Sequence, residues 1–374
     1  MNRRTLAFQI GIYALPVILS LVISAILVML VGRDPLEVAK LIFEGAFRNK
    51  RSFAGVLNFF IPLTLVSMGL VVTFRAGLWN IGVEGQMTMG AIFASIIPMY
   101  FLQHTNLNPE DYPAILLVLA SVFLAMLGGI FWGMVVGFLK IRLGINEIFG
   151  GVALNALADV FSIYLISGPW EPDIGGSAQG TDRFLAPTTF SDLSAEYPTS
   201  ALALGIVVVA TIAVIIALRG TRWGLNLKAT GKNARSALLL GVATERVSMS
   251  AFMVCGGLAG IAGAYRVLFT FDALRPLVSG GIGFLGLLVA LLVATQPLIV
   301  PIVTFIFAAI LSGSTRLRIS MQLDSSLASV LQESVVLMML IFNGVRETYK
   351  GRKKDVMADL NAKTQETPVV GESE

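Results

Sequence analysis

Four acids interrupt otherwise apolar runs: Glu84, Glu147, Asp159 and Glu333. A charge in such a setting is expensive and is kept for a function or a partner. Glu84 lies in Gly77-Leu78-Trp79-Asn80-Ile81-Gly82-Val83-Glu84-Gly85-Gln86, where three glycines and an asparagine break the helical pattern ahead of Gln86. Irregular backbone inside a bilayer is tolerated only when packed in protein or facing a cavity. The string therefore reads either as a broken-helix element lining a solute path or as a turn at a span's end, with Glu84 near a helix N-terminus. Asn146-Glu147 open another apolar run that carries Asn155 and Asp159 further along. At about 100° per residue Glu147, Asn155 and Asp159 lie within a band on one side of a helix that Asn146 opens, and Asn155 and Asp159 are neighbours. They form either a polar stripe facing a translocation path or hydrogen-bonding glue between helices.

Other chemistries are absent. The sequence has no His-Glu-x-x-His, no Gly-x-Ser-x-Gly elbow and no Walker A loop, since Gly231-Lys232 is followed by Asn233 and lacks the upstream glycine. Hydrolysis of ATP by this chain is excluded on that ground, and no nucleophile–base pair supports an enzyme. One cysteine, Cys255, and one histidine, His104, leave no internal disulfide and no zinc site.

The elements that must position these residues are membrane helices. Of 374 residues 56% are apolar, only 13% are charged, and the mean hydropathy is +0.81. Soluble domains carry about 25% charged residues, so the excess apolar surface must meet lipid or another subunit. A hydrocarbon core of roughly 30 Å takes about 20 apolar residues as helix. Ten segments qualify: 11–31, 54–74, 82–102, 114–139, 148–168, 200–218, 247–265, 277–295, 297–313 and 326–345. The eighth and ninth come from one uncharged stretch, split at Gln296-Pro297. The first is read as a span, because no small-x-small cleavage site follows it.

The formal charge of +4 resides in short loops beside apolar runs, the pattern that orients a membrane protein rather than one that binds nucleic acid. Basic residues crowd the loops at Arg75, Lys140, Arg142, 219–246 and 346–354, whereas the 169–199 loop carries five acids against Arg183 alone. Both termini are thus expected in the cytoplasm, with 169–199 external. The basic loop 33–53 goes against this bias. It opens Asp34-Pro35-Leu36-Glu37, a helix start, and Leu36, Ala39, Phe43, Ala46 and Phe47 would fall on one side, suited to the outer interface.

Gly129, Gly133 and Gly137 form one small-residue row, and Gly256 and Gly260 another; both are close-packing faces. Arg266 is expected to snorkel to the outer interface. In the basic 219–246 loop, Ala234, Ala237, Leu238, Leu239 and Leu240 fit a short helix beginning near Lys232, whose apolar face wants either a protein partner or the surface of the inner leaflet. Residues 1–350 read as the transmembrane domain, and 351–374 as a polar tail expected to be disordered.

The Gly77–Gln86 string resembles the permease subunits of bacterial ABC importers in the branched-chain amino acid and ribose group, above all the nucleoside and simple-sugar subgroup. Asp34-Pro35-Leu36 with Phe43-Glu44-Gly45-Ala46-Phe47, Asn146-Glu147 with Asn155, and Gly231-Lys232-Asn233-Ala234 with Gly241 agree with it over residues 5–350. The resemblance implies an all-α subunit of about ten helices in a bacterial inner membrane. It would pair with a second permease, related or identical, with ATPase subunits that hold ATP and Mg, and with an extracytoplasmic solute-binding protein; no nucleic acid is involved. Asn80, Glu84, Asn146, Glu147 and Asn155 match family positions near the translocation path. Gly231, Asn233, Ala234, Ala237, Leu238 and Gly241 match the loop that seats in the ATPase, although the family's usual proline after Asn233 is Ala234 here, and Leu240 replaces an aromatic before Gly241-Val242. The implied solute is a nucleoside, with simple sugars or a vitamin such as riboflavin next. An ion-coupled secondary transporter using Glu84, Glu147 or Asp159 is the alternative.

Overall fold

The computed structural model describes residues 22, 25, 26, 28–30, 32–104, 106–172, 179–293 and 296–321, with side chains as far as residue 316. The tenth expected span, Glu333, the 346–354 basic cluster and the 351–374 tail lie outside the described residues, as does most of the first span. The chain divides into two compact units, residues 1–40 with 321–374 and residues 41–320. Asp34 Oδ1, in the first, accepts the Leu36 N–H at 2.8 Å and starts helix α1 (Pro35–Phe47) as expected; from Leu41 on that helix belongs to the second unit.

Everything else concerns the second unit. Its long helices are α2 (Lys50–Arg75), α3 (Val83–Gln103), α4 (Ala114–Ile141), α5 (Glu147–Ile166), α6 (Ala201–Gly220) and α9 (Thr244–Tyr265), the last continued by a π-turn, Arg266–Thr270. These six are long and apolar enough to cross a membrane. Shorter helices are α7 (Arg222–Lys232), α8 (Ala234–Leu239) and α10 (Ile282–Leu292), and α11 runs Val300–Met321. Among the described residues there is no strand, only an isolated bridge between Ser194 and Tyr197. The chain is an all-helical, multi-pass membrane protein.

The two glycine rows meet each other. A Cβ on Gly129 of α4 would stand 2.8 Å from Gly260 Cα of α9, and one on Gly256 would stand 3.3 Å from Gly133 Cα. Gly90 of α3 reaches the same Gly260, so three helices converge with backbone against backbone. Close approach of this kind replaces the hydrophobic drive that lipid does not provide.

Four expectations are corrected. The eighth span does not begin at Leu277: Leu277, Gly280 and Gly281 hold φ of 53°, 60° and 79°, and helix α10 starts only at Ile282. Its 11 residues rise about 16 Å, half a bilayer core. The break after it spans Gln296-Pro297, where the split was placed. Arg266 does not snorkel. It is 8% exposed, its Nε donates to Val278 O at 3.1 Å, and its guanidinium lies 4.5 Å from the Phe271 ring centroid. The 219–246 stretch is mostly helical, because Thr221 caps α7 and Asn233, in extended backbone, ends α7 and caps α8 by accepting the Ser236 N–H. On α1, Leu36, Ala39, Phe43 and Phe47 are exposed while Ala46 turns inward against Val56 and Ala308.

One cation of the dissenting basic loop, Lys50, has its partner in this unit. Lys50 pairs with Glu196 at 2.6 Å and Asn58 Nδ2 donates to Pro198 O, which puts the start of α2 at the 169–199 end. Arg75 is at the other end of the 26-residue helix, against Gly231. The 169–199 loop is pinned to the segment after α9: Thr181 N–H donates to Leu274 O, Phe184 N–H to Asp272 O and Phe190 N–H to Leu268 O.

Candidate functional site, a broken segment held by buried polar side chains

After α2 the chain does not run straight into α3. Ala76 closes the helix, Gly77 turns at φ 74°, Leu78 N–H still bonds back to Thr73 O, and residues 79–81 re-enter the body outside any helix before Gly82 O accepts the Gln86 N–H that starts α3. Gly77 is required there by its left-handed backbone and by Gly231, whose Cα would lie 3.1 Å from an added Cβ. The depth of the excursion follows from Cys255, the twelfth residue of α9. It touches both Gly69 of α2 and Asn80, so the segment retraces the six residues from Arg75 to Gly69, about 9 Å.

A backbone outside a helix leaves its amide groups to be satisfied by side chains, and the expected site residues do this. Asn80, fully buried, exchanges two amide hydrogen bonds with Gln86 (3.0 and 3.1 Å) and donates to Cys255 Sγ at 3.1 Å. Asn155 of α5 takes the Gly85 N–H on Oδ1 at 2.8 Å and gives Nδ2 to Ile81 O at 2.9 Å. One side chain therefore stitches the end of the break to the first turn of α3. Glu147 is ion-paired with Lys140 at 2.5 Å and stands beside the Trp79 backbone N–H. Asn146 caps α5 by accepting the Ile148 N–H, which sets the position of Glu147.

Glu84, 4% exposed, is in the first turn of α3, and its carboxylate also reaches the start of another helix. Oε1 accepts the Phe284 N–H of α10 at 3.1 Å, with Gly283 packed against the same side chain and Ser279 beside it. A carboxylate at a helix N-terminus is favoured by the unpaired N–H groups and by the dipole. Oε2 completes no hydrogen bond. Arg266 acts on Glu84 electrostatically while holding Val278 O, so two buried charges fix the loop that leads into the half-length α10. Asp159, half-buried, accepts a hydrogen bond from Thr88 of α3 at 3.2 Å.

Asn80, Glu84, Glu147 and Asn155 are thus brought together around residues 77–86, and Asn146 supports them. Sequence reasoning missed Gln86, Lys140, Cys255 and the α10 N-terminus. Gln86 was within reach, at the end of the same string; the others come from segments whose proximity depends on helix packing.

The second group of expected residues lies around α8. Gly231 abuts the Arg75–Gly77 backbone, Asn233 caps α8, Ala234 is exposed, and Gly241 turns at φ 83°. Ala237 is buried at 1%, whereas Leu238, Leu239 and Leu240 are 60%, 85% and 83% exposed. The apolar surface on offer is therefore the leucine run, with Ala237 anchoring the helix to the body.

Membrane-length helices closed on one another by glycine faces, around a non-helical segment held by buried amides and carboxylates, define a multi-pass membrane protein with a polar break in its interior. The chain belongs to the branched-chain amino acid transport system / permease component family, which it matches over residues 52–343. It is similar to the nucleoside ABC transporter permease protein NupB of Lactococcus lactis, 27% identical over 84% of this chain and 85% of that one. It is also similar to the guanosine ABC transporter permease protein NupP of Bacillus subtilis, 28% identical over 87% and 90% of the two chains. A third relative is the glucose ABC transporter permease protein TsgB13 of Haloferax volcanii, 23% identical over 88% and 87%. No solved structure matches the chain. Family membership bears out the permease resemblance and does not favour the ion-coupled alternative.

Proposed function

We propose that the chain is the membrane-spanning permease subunit of an ATP-driven importer and forms the path for a nucleoside, with a simple sugar or related vitamin as the next choice. The observation that carries this is the family match together with relatives named as nucleoside, guanosine and glucose permeases. In this reading the subunit has about ten spans, both termini face the cytoplasm of a bacterial cell, and a second permease completes the path. An extracytoplasmic binding protein delivers solute, and ATP with Mg is bound and hydrolysed by a partner ATPase.

Two features of the molecule support assigning roles. The exposed Leu238–Leu240 run is the ATPase docking edge, with Gly231, Asn233, Ala234, Ala237 and Gly241 shaping and seating it. Within the path, Glu84 is the residue assigned to meet solute: it is a buried carboxylate at the break, with Ser279 and Gly283 beside it, and can accept a hydrogen bond from a hydroxyl or a base N–H once solute reaches it. Asn80, Asn155 and Glu147 hold the segment that carries it, and Asn146 holds Glu147.

Copurification of the tagged chain from native membrane, with mass spectrometry and an ATPase assay, tests the assembly. Recovery of an ATP-binding subunit and a second permease is expected; a lone, folded chain that moves solute under an ion gradient would refute it. Leu239→Asp with Leu240→Asp should abolish ATPase recovery, and unchanged recovery would remove α8 as the docking edge. Glu84→Gln keeps an oxygen for the Phe284 N–H but removes the charge that faces Arg266, so unfolding is measured beside uptake: nucleoside uptake should fall further than the loss of folded protein explains, and undiminished uptake would remove Glu84 from the path.

A further inference from the structure

Beside the α8 edge is a cavity of about 400 Å³ that the transport reading leaves unused. Four cationic side chains line it: Arg75, Arg219, Lys228 and Lys232. They come from the C-terminal end of α2, the C-terminal end of α6, and two positions on α7. No carboxylate lines the cavity, and none of the four takes part in an ion pair among the described residues. Helix dipoles offset only part of this charge. Each C-terminus contributes about half a negative charge, so three helix ends balance roughly one and a half of four positive charges. Gathering the remainder in one concavity costs self-repulsion that an anion would relieve.

The surroundings of the cavity favour one source for that anion. Phe74 gives it an apolar wall, and Arg219 continues a stripe on α6 formed by Val209, Ile212 and Ile216, which are 68%, 52% and 59% exposed. The spacing of three, four and three residues keeps this stripe on one side of the helix. An apolar track of about two turns therefore ends at a cationic pocket. A small inorganic anion has no use for the track, whereas a phospholipid fills both parts. Basic pockets between membrane helices bind acidic lipid head groups in this manner.

We infer that the pocket is a binding site for the head-group phosphate of an anionic phospholipid, whose acyl chain lies along Val209, Ile212 and Ile216. Occupancy neutralises charge where α7 abuts the Arg75–Gly77 turn, so the lipid stabilises the contact between α7 and the broken segment.

The test uses the full chain, purified in a neutral detergent, with lipid retention read by native mass spectrometry and stability by thermal unfolding. The probes are phosphatidylglycerol, phosphatidylcholine and inorganic pyrophosphate. Phosphatidylglycerol should be retained and should raise the unfolding temperature, and phosphatidylcholine should do neither. Arg219→Gln with Lys228→Gln, both at exposed positions, should lose the retained lipid and the shift, and Arg219→Lys with Lys228→Arg should restore them. The control, Arg235→Gln with Arg246→Gln, removes two charges outside the pocket and should behave as wild type. Equal loss in the control, equal protection by phosphatidylcholine, or saturation of the effect by pyrophosphate alone would each overturn the inference.

Discussion

Replacing Asn155 by alanine tests whether the broken segment depends on one side chain. The substitution removes the acceptor for the Gly85 N–H and the donor to Ile81 O, both in a setting where Asn155 is only 7% exposed. Each buried group left unpaired costs about 1–3 kcal/mol in soluble proteins, and hydrogen bonds between membrane helices average about 0.6 and reach about 1.7 kcal/mol. Two bonds therefore put the loss at about 1–3 kcal/mol. Asn155→Asp separates the halves: its oxygens still accept from Gly85, but one now opposes Ile81 O, so it should be at least as destabilised as the alanine variant. The assay is unfolding of the purified protein in detergent, run beside uptake in proteoliposomes containing the assembled transporter. If Asn155 braces the segment, stability and uptake fall together in both variants. A variant with wild-type unfolding and lost uptake would refute the reasoning and make Asn155 a solute contact.

Gly256→Leu should prevent folding, because the new side chain meets the Gly129 and Gly133 backbone, which cannot yield as a side chain does; its cost exceeds the roughly 1–3 kcal/mol of ordinary overpacking. Gly205→Ala, in open space on α6, should be tolerated or stabilise by about 0.5–1 kcal/mol, and size-exclusion profiles of the two variants check the contrast. Burial raises the pKa of the Asp272 carboxyl above its ordinary value, with Arg183 drawing it down and Asp192 pushing it up. With the folded value above the unfolded one, near 3.9, the stabilising contribution belongs to the protonated form and is lost as pH rises through the folded value. Asp272→Asn, suited to the φ of 50° at this position, should flatten the pH dependence of unfolding above about pH 4. Cys255, the chain's single cysteine, is fully buried against Asn80 and should resist maleimide, and Asn80→Ala should speed its labelling in native membranes.

The sequence made the helices legible where composition alone sets them. Long uncharged runs became α2 to α6 and α9 with boundaries shifted by a few residues, and Asp34, Asn146 and Ser200 mark starts that capping chemistry predicts. The eighth span was misjudged because Leu277 is as apolar as its neighbours, and hydropathy does not register a positive φ. Arg266 was misplaced for a related reason: its neighbours in sequence suggested an interface, while its partners, Val278 and Phe271, come from the fold of the following loop. The site residues were found by type, since buried Asn and Glu in apolar runs need partners. Which partners they take was not legible. That Asn155 would serve Ile81 and Gly85, or that Glu84 would serve α10, depends on how α3, α5 and α10 pack, and no spacing within one segment encodes it.

The contact between the glycine rows of α4 and α9 bears on motion as well as on assembly. Where leucines or valines interlock, one helix slides past another only if each knob leaves its hole, so the positions available are discrete. Between Gly129, Gly133, Gly256 and Gly260 there are no knobs to lift. The surface resists separation, because so many backbone atoms touch, and beyond these four glycines side chains set its register: Met126 and Ile130 of α4 face Gly257, and Met249 and Phe252 of α9 face Gly137. It is a clamp locked at both ends, so α4 and α9 are suited to move as one body when packed helices shift.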